Sequence, residues 1–228
     1  MDGLRWMGAA EARRRMVEEQ LVARGIRDSR VLAAMREVPR EEFVEPGLRA
    51  QAYGDSPLRI PGGQTISQPF IVALMAEAAR IGPGDRVLEV GAGSGYAAAV
   101  LSRLGGRILA IERHPGLAEA ARERLGRLGF AVEVREGDGT LGWPEAAPFD
   151  AILVAAAGPE APDALRRQLA PGGRLVLPVG PRDGPQELVR VTRLGLEEWE
   201  EERLGGVRFV PLLGAQGWPE GDGAGEGV

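Results

Sequence analysis

From Arg86 to Val179 the chain alternates short β-prone runs with helical stretches, and this alternation limits the folds open to it more than any other feature. The runs are Arg86–Val90, Arg107–Glu112, Ala131–Glu136, Asp150–Ala156 and Arg174–Val179, with helix-like segments at Ala97–Leu104, Leu117–Leu128 and Ala161–Leu169 between them. Strands that alternate with helices predict a mostly parallel sheet covered on both faces, an α/β fold of Rossmann-like type. Two later runs, Glu187–Leu194 and Val207–Leu212, lack an obvious helix between them and predict an antiparallel edge at the C-terminal side of the sheet.

The part ahead of this core reads as a helical extension. An amphipathic helix is expected from about Glu11 to Arg24, with Met16, Val17 and Leu21 on its apolar face and Gly25 placed to end it. Asp28-Ser29 caps a second helix carrying Val31, Leu32 and Met35, which stops near Pro39. Tyr53 to Pro69 is rich in Gly and Pro without a clear period, as in functional lids. A further helix from Phe70 through Ala78 ends before Gly82-Pro83-Gly84. The expected organisation is one structural domain: residues 1–80 packed on a core of residues 81–215, then a Gly-rich acidic tail, residues 216–228, with little to bury and expected to be disordered.

Composition removes whole classes of chemistry. The 228 residues include no Cys and one His, His114, so disulfide scaffolds, Cys-ligated zinc, thiol nucleophiles and sites needing two imidazoles are out, and no metal site is expected. All 28 basic residues are Arg, against 33 acidic ones, and the net charge of −5 predicts no nucleic-acid partner. No apolar stretch approaches the length of a membrane span, so a cytoplasmic, soluble protein is expected. The tryptophans Trp6, Trp143, Trp199 and Trp218 show no stacking period and are read as packing residues.

The strongest local signal is Val87-Leu88-Glu89-Val90-Gly91-Ala92-Gly93-Ser94-Gly95-Tyr96, an apolar strand, three alternating glycines and the start of a helix. Glycine is required where the chain turns tightly and where a ligand approaches the backbone. The dinucleotide fingerprint G-x-G-x-x-G/A is not met, because Tyr96 stands where a small residue is needed. Glu89, two residues before Gly91, would repel a pyrophosphate and suits a ligand with positive charge. S-adenosyl-L-methionine is such a ligand. Glu112, 21 residues after Gly91, is placed to accept from ribose hydroxyls, and Asp138 in Gly137-Asp138-Gly139 from an adenine amino group. Each feature alone also has a plain structural reading, since strand-end Glu and Gly-Asp-Gly are common turn chemistry.

The run Gly63-Gln64-Thr65-Ile66-Ser67-Gln68-Pro69 has two readings on local chemistry: a helix cap with Pro in the first turn, or a backbone-lined clamp over a substrate. Together with the glycine turn it closely resembles the protein-L-isoaspartate O-methyltransferase family. The likeness runs from Met16 through Gly25-Ile26-Arg27-Asp28 and Val38-Pro39-Arg40-Glu41 to Pro178-Val179-Gly180 and Arg208-Phe209-Val210-Pro211-Leu212. It implies an S-adenosylmethionine-dependent methyltransferase fold and an enzyme that methylates the free α-carboxylate of L-isoaspartyl residues in damaged proteins and peptides, leaving S-adenosyl-L-homocysteine. The ester then collapses to a succinimide, which begins repair.

The resemblance also implies Ser67 as the active-site residue and Gln64, Thr65, Ile66 and Ser67 as lining of the cofactor and substrate cleft. With Glu89, Gly91, Gly93, Gly95, Glu112, Asp138 and Gly139 these make the expected cofactor-binding set, in a protein expected to be monomeric. Two departures stand out: Leu58-Arg59-Ile60-Pro61-Gly62 replaces the commoner Leu-Pro-Ile-Gly, and Leu213 stands where eukaryotic members have a polar residue, so no cofactor contact is carried to it. His114 is expected at the surface or the pocket rim. Methyl transfer to an already ionised carboxylate needs no general base, so Ser67 is read as a carboxylate holder and not as a nucleophile. The residues leave open two other readings, a different S-adenosylmethionine-dependent methyltransferase and a non-catalytic binder of damaged peptides.

Overall fold

The computed structural model describes residues 3–220. Helix α1 (Gly3–Arg15) continues through a wider, π-type stretch, Met16–Val22, that buries Met16, Val17 and Leu21. Gly25, at φ 102°, ends it. Asp28 caps α2 (Ser29–Glu37) by accepting from the Arg30 amide at 2.8 Å. The segment expected to be irregular contains a small antiparallel hairpin, β1 (Leu58–Arg59) and β2 (Thr65–Ile66), before α3 (Pro69–Ala79), with Pro69 in the first turn.

The core follows as β3 (Arg86–Val90), α4 (Tyr96–Ser102), β4 (Arg107–Glu112), α5 (Pro115–Arg127), β5 (Val132–Glu136), β6 (Phe149–Val154), α6 (Asp163–Arg167), β7 (Leu169–Val179), β8 (Gln186–Arg193) and β9 (Trp199–Val207). One seven-stranded sheet results, in the order β5-β4-β3-β6-β7-β8-β9. Strands β5 to β7 run parallel, and β7-β8 and β8-β9 are antiparallel.

Side-chain alternation divides β3 between two cores. Val87 faces the helical extension with Met35, Phe43 and Tyr96, while Leu88 and Val90 face the opposite layer with Trp143, Phe149 and Leu165. The helical extension therefore shares its core with one face of the sheet.

A buried polar cluster ties the two together. The Arg40 guanidinium, fully buried, donates to the Ala52 carbonyl at 2.7 Å and lies 4.8 Å from the centre of the Tyr96 ring. Beside it Tyr53 donates to Glu41 and accepts from Arg13 at 2.8 Å.

The structure corrects several expected elements. The last strand is Trp199–Val207 and not Val207–Leu212, because its Glu-rich sequence is that of a solvated sheet edge, where charge discourages pairing with other chains. Residues Val210 to Leu212 instead cross Ala157, which donates to Val210 O and accepts from the Leu212 amide, both at 2.8 Å. Helix α6 is shorter than Ala161–Leu169, since Leu169 already opens β7.

The tail does not begin at 216. Trp218 donates from its amide to Leu212 O at 2.7 Å and from its indole to Ala157 O at 3.1 Å. The rest of the expected tail, residues 221–228, lies outside the described residues. Among the described residues no helix is long and apolar enough to cross a membrane.

The segment after β5 is fastened by Gln168, whose amide accepts from Trp143 N at 2.7 Å and donates to Leu141 O at 2.8 Å. Gln168→Leu leaves the buried Trp143 amide unpaired and is expected to cost about 1–3 kcal/mol. Thermal melts would show a fall in Tm of several degrees, and an unchanged Tm would refute this role.

Candidate functional site

The sheet order reverses beside β3: the chain moves outward to β4 and β5, then returns to β6 on the other side. In open α/β sheets ligands bind outside the carboxyl ends of the strands at such a point. A cleft lies there, with Val90 at the end of β3 and Gly91 just after it, Ile111 and Glu112 at the end of β4, Gly139 after β5 and Ala155 after β6 in its wall.

The glycine turn forms its floor. Gly91 and Gly93 have φ of 91° and 52°, conformations that side chains rarely adopt. The amides of Gly91 and Ala92 donate to Ile111 O at 2.8 and 3.1 Å, and Gly93 N donates to a Glu112 carboxylate oxygen at 2.9 Å. The other Glu112 oxygen accepts from the His114 amide at 2.9 Å. Arg124 on α5 donates to Ser94 O at 2.8 Å and holds the turn from behind. A Cβ on Gly139 would come within 2.3 Å of Val90 Cγ1, so this position admits only glycine without displacement.

A second, open cleft of about 830 Å³ adjoins the first. It contains Ser67 and Gln68, and both clefts are lined by Thr65, Ala155 and Val210. These three residues are a common wall. Strand alternation in β2 explains the layout: Thr65 and, two residues on, Ser67 face the clefts, while Ile66 is buried in the core at 4% exposure.

Of the expected cofactor set, Gln64, Thr65, Gly91, Gly93, Glu112 and Gly139 line the first cleft, and Ser67 lines the second. Four residues lie elsewhere. Ile66 points into the core, and Gly95, at φ 86°, lets α5 pack close, since a Cβ there would stand 3.1 Å from Leu125 Cδ1. The Asp138 carboxylate is occupied by the Thr140 amide and hydroxyl and by the Ala215 amide, at 2.9, 2.7 and 2.8 Å.

Glu89 is sealed behind the turn at 2% exposure, and one of its oxygens has no partner. Burial, reinforced by the nearby Glu112 charge and opposed by the Ala98 amide, pushes its carboxyl up from 4.5 to about 8.

Homology decides what the geometry leaves general. The sequence profile of the family described as protein-L-isoaspartate(D-aspartate) O-methyltransferase matches residues 11–217. The chain belongs to this family. The protein-L-isoaspartate O-methyltransferase of Methylorubrum extorquens (strain PA1) is 65% identical over 204 residues, covering 90% of this chain and 89% of the relative. Protein-L-isoaspartate O-methyltransferase 2 of Pelobacter propionicus is 60% identical, covering 89% and 91%.

Solved structures agree with the family assignment. A protein-L-isoaspartate O-methyltransferase superposes with a TM-score of 0.79 at 31% identity, over 90% of this chain and 67% of the other. A Plasmodium falciparum structure described as a protein-L-isoaspartate O-methyltransferase in complex with S-adenosyl-L-homocysteine gives a TM-score of 0.75 at 27% identity, over 88% and 98%.

Against the residues expected of this family member, the structure adds His114, Arg113, Ala156 and the stretch Val210 to Leu213 to the first cleft. His114 stands at the rim as expected. Leu213, to which no contact was assigned, lines the wall, because its segment is drawn across Ala157. The family likeness at Val210-Pro211-Leu212 was the signal for this wall, and reading it as a strand hid its position.

The Glu89 shift has a measurable consequence. Between about pH 4.5 and 8 the folded chain keeps a proton that the unfolded chain has released, so stability falls as pH rises through this window and levels off above it. Glu89→Gln should flatten that decline and melt higher than the native chain at pH 9. Parallel Tm profiles for the two proteins would rule out a buried protonated Glu89.

Proposed function

We propose that this chain methylates the free α-carboxylate of L-isoaspartyl residues in damaged proteins and peptides, with S-adenosyl-L-methionine in the first cleft and the isoaspartate beside Ser67 in the second. The observation that carries the reading is the common wall of Thr65, Ala155 and Val210, through which the two ligands can meet. We also take it to act as a monomer in the cytoplasm.

The first cleft fits the cofactor. Glycine backbone at Gly91, Gly93 and Gly139 allows close approach, Val90 and Ile111 give an apolar wall, and Glu112 offers an acceptor for hydroxyl groups. Gln64 and Thr65 close it from the hairpin side. Glu89, behind the turn and protonated at neutral pH, is not part of this set.

When bound, S-adenosyl-L-methionine supplies a methyl group made electrophilic by its sulfonium centre. The protein's share is positioning. An isoaspartyl α-carboxylate is ionised at neutral pH, so no side chain has to remove a proton. The Ser67 hydroxyl donates a hydrogen bond to the carboxylate and fixes which oxygen faces the common wall. Regiochemistry follows from reach. The α-carboxylate of isoaspartate hangs from a main chain lengthened by one methylene, and an ordinary aspartyl side chain presents its carboxylate differently.

Transfer of labelled methyl to an isoaspartyl peptide, with its aspartyl counterpart as control, tests the reading. Incorporation is expected in the first alone, and none in either would reject the activity in favour of a binding protein. Ser67→Ala should lower kcat/KM about 10- to 100-fold, the worth of one hydrogen bond to a charged group. Unchanged turnover would remove Ser67 from the mechanism.

A further inference from the structure

Among the described residues Arg40 is the one cation buried completely. Its Nε donates to the Ala52 carbonyl at 2.7 Å, while Nη1 and Nη2, both buried, find no hydrogen-bond partner among those residues. The Glu41 carboxylate, next to it in sequence, is taken by Tyr53 and by Arg13, the latter at 3.3 Å. What faces the charge is the Tyr96 ring, whose centre lies 4.8 Å from the guanidinium. A buried cation without a carboxylate lowers stability, and an apolar side chain of similar volume would relieve it. Such a breach of the packing rules is expected where a residue serves the site.

The service follows from what Arg40 connects. Ala52 ends the turn ahead of the segment that leads to the hairpin of β1 and β2 and on to Ser67. Arg40 holds Ala52 and Glu41 holds Tyr53, so two consecutive residues of one turn grip two consecutive residues at the root of that segment. Tyr96, on the other side, opens α4 directly after the glycine turn, with Met35 at 3.7 Å from its hydroxyl and Phe43 against its ring.

We propose that Arg40 is a positioning residue for methyl transfer, which holds the root of the Ser67 segment in register with Tyr96 and the glycine turn, so that carboxylate and methyl group meet in line. The proposal rests on the methylation reading above. Ser67 and the glycine turn belong to different units, the helical extension and the sheet, and a misplacement of about 1 Å between reacting groups can lower a rate about 100-fold. A guanidinium is planar and bonds in two directions at once, through its edge to a carbonyl and through its face to a ring. An aliphatic side chain fills the same space and fixes neither.

The test compares Arg40→Met with Arg40→Lys. In the Met variant the bond to Ala52 O is lost, but so is a buried charge, so Tm is expected within a few degrees of native. Kd for S-adenosyl-L-homocysteine and KM for an isoaspartyl peptide should change less than about threefold, while kcat falls about 10- to 100-fold. Arg40→Lys, which keeps a cation and a donor, should recover most of kcat. Should Arg40→Met not fold, Arg40→Gln, which keeps a donor without the charge, is read in the same way.

Amide exchange gives a readout that needs no turnover. Ile60 N in the hairpin, bonded to Gln64 O, and Gly93 N in the turn, bonded to Glu112, should both exchange about tenfold faster in the Met variant, with the amides of β7 and β8 unchanged. Unchanged exchange at either amide would overturn the proposal, as would a native kcat or a fall in kcat matched by an equal loss of S-adenosyl-L-homocysteine affinity. Faster exchange at both, in a protein whose native form methylates no isoaspartyl peptide, would support the positioning role and overturn the activity alone.

Discussion

One carboxylate holds the site together. Glu112 ends β4 and receives the amide of Gly93 on one oxygen and that of His114 on the other. A glycine-rich turn has no side chains to define its path, so its shape must come from what its amides are bonded to. Gly91 and Ala92 are fixed by Ile111 O and Gly93 by Glu112, which makes the end of β4 the template for the turn that follows β3. Charge-assisted bonds of this kind are stronger than neutral ones, and their burial raises the cost of breaking them. The same charge also bears on Glu89 behind the turn and helps keep that carboxyl protonated.

The helical extension acts on this turn from the other side. Tyr96, the first residue of α4, lies under the Arg40 guanidinium and against the edge of Phe43, whose ring centre is 5.6 Å away. The first and second clefts are therefore built by one continuous packing unit. The hairpin that carries Thr65 and Ser67 hangs from the extension, while the glycine turn hangs from the sheet.

Much of the core was legible from residues alone. The strands from Arg86 to Val179 carry their own apolar runs, and the glycine spacing marks the first turn directly. What escaped depended on tertiary direction. Position in sequence puts Glu89 and Asp138 near strand ends, but whether a side chain looks into the cleft or behind it is set by neighbours such as Glu112, Thr140 and Ala215. Ile66 entered the expected set with its neighbours through the family resemblance, and two-residue β2 is too short to show its alternation in the sequence. Strand β9 escaped because three glutamates and two glycines read as loop, although an edge strand tolerates both.

The hairpin behind Ser67 works as a phase device. Leu58 pairs with Ile66 and Arg59 with Thr65, and Ile60 N closes on Gln64 O at 2.9 Å, so the number of residues in the tip decides which side chains meet the clefts. A strand repeats every two residues, so inserting or deleting one residue there would send Ile66 outward and turn Thr65 and Ser67 toward the core.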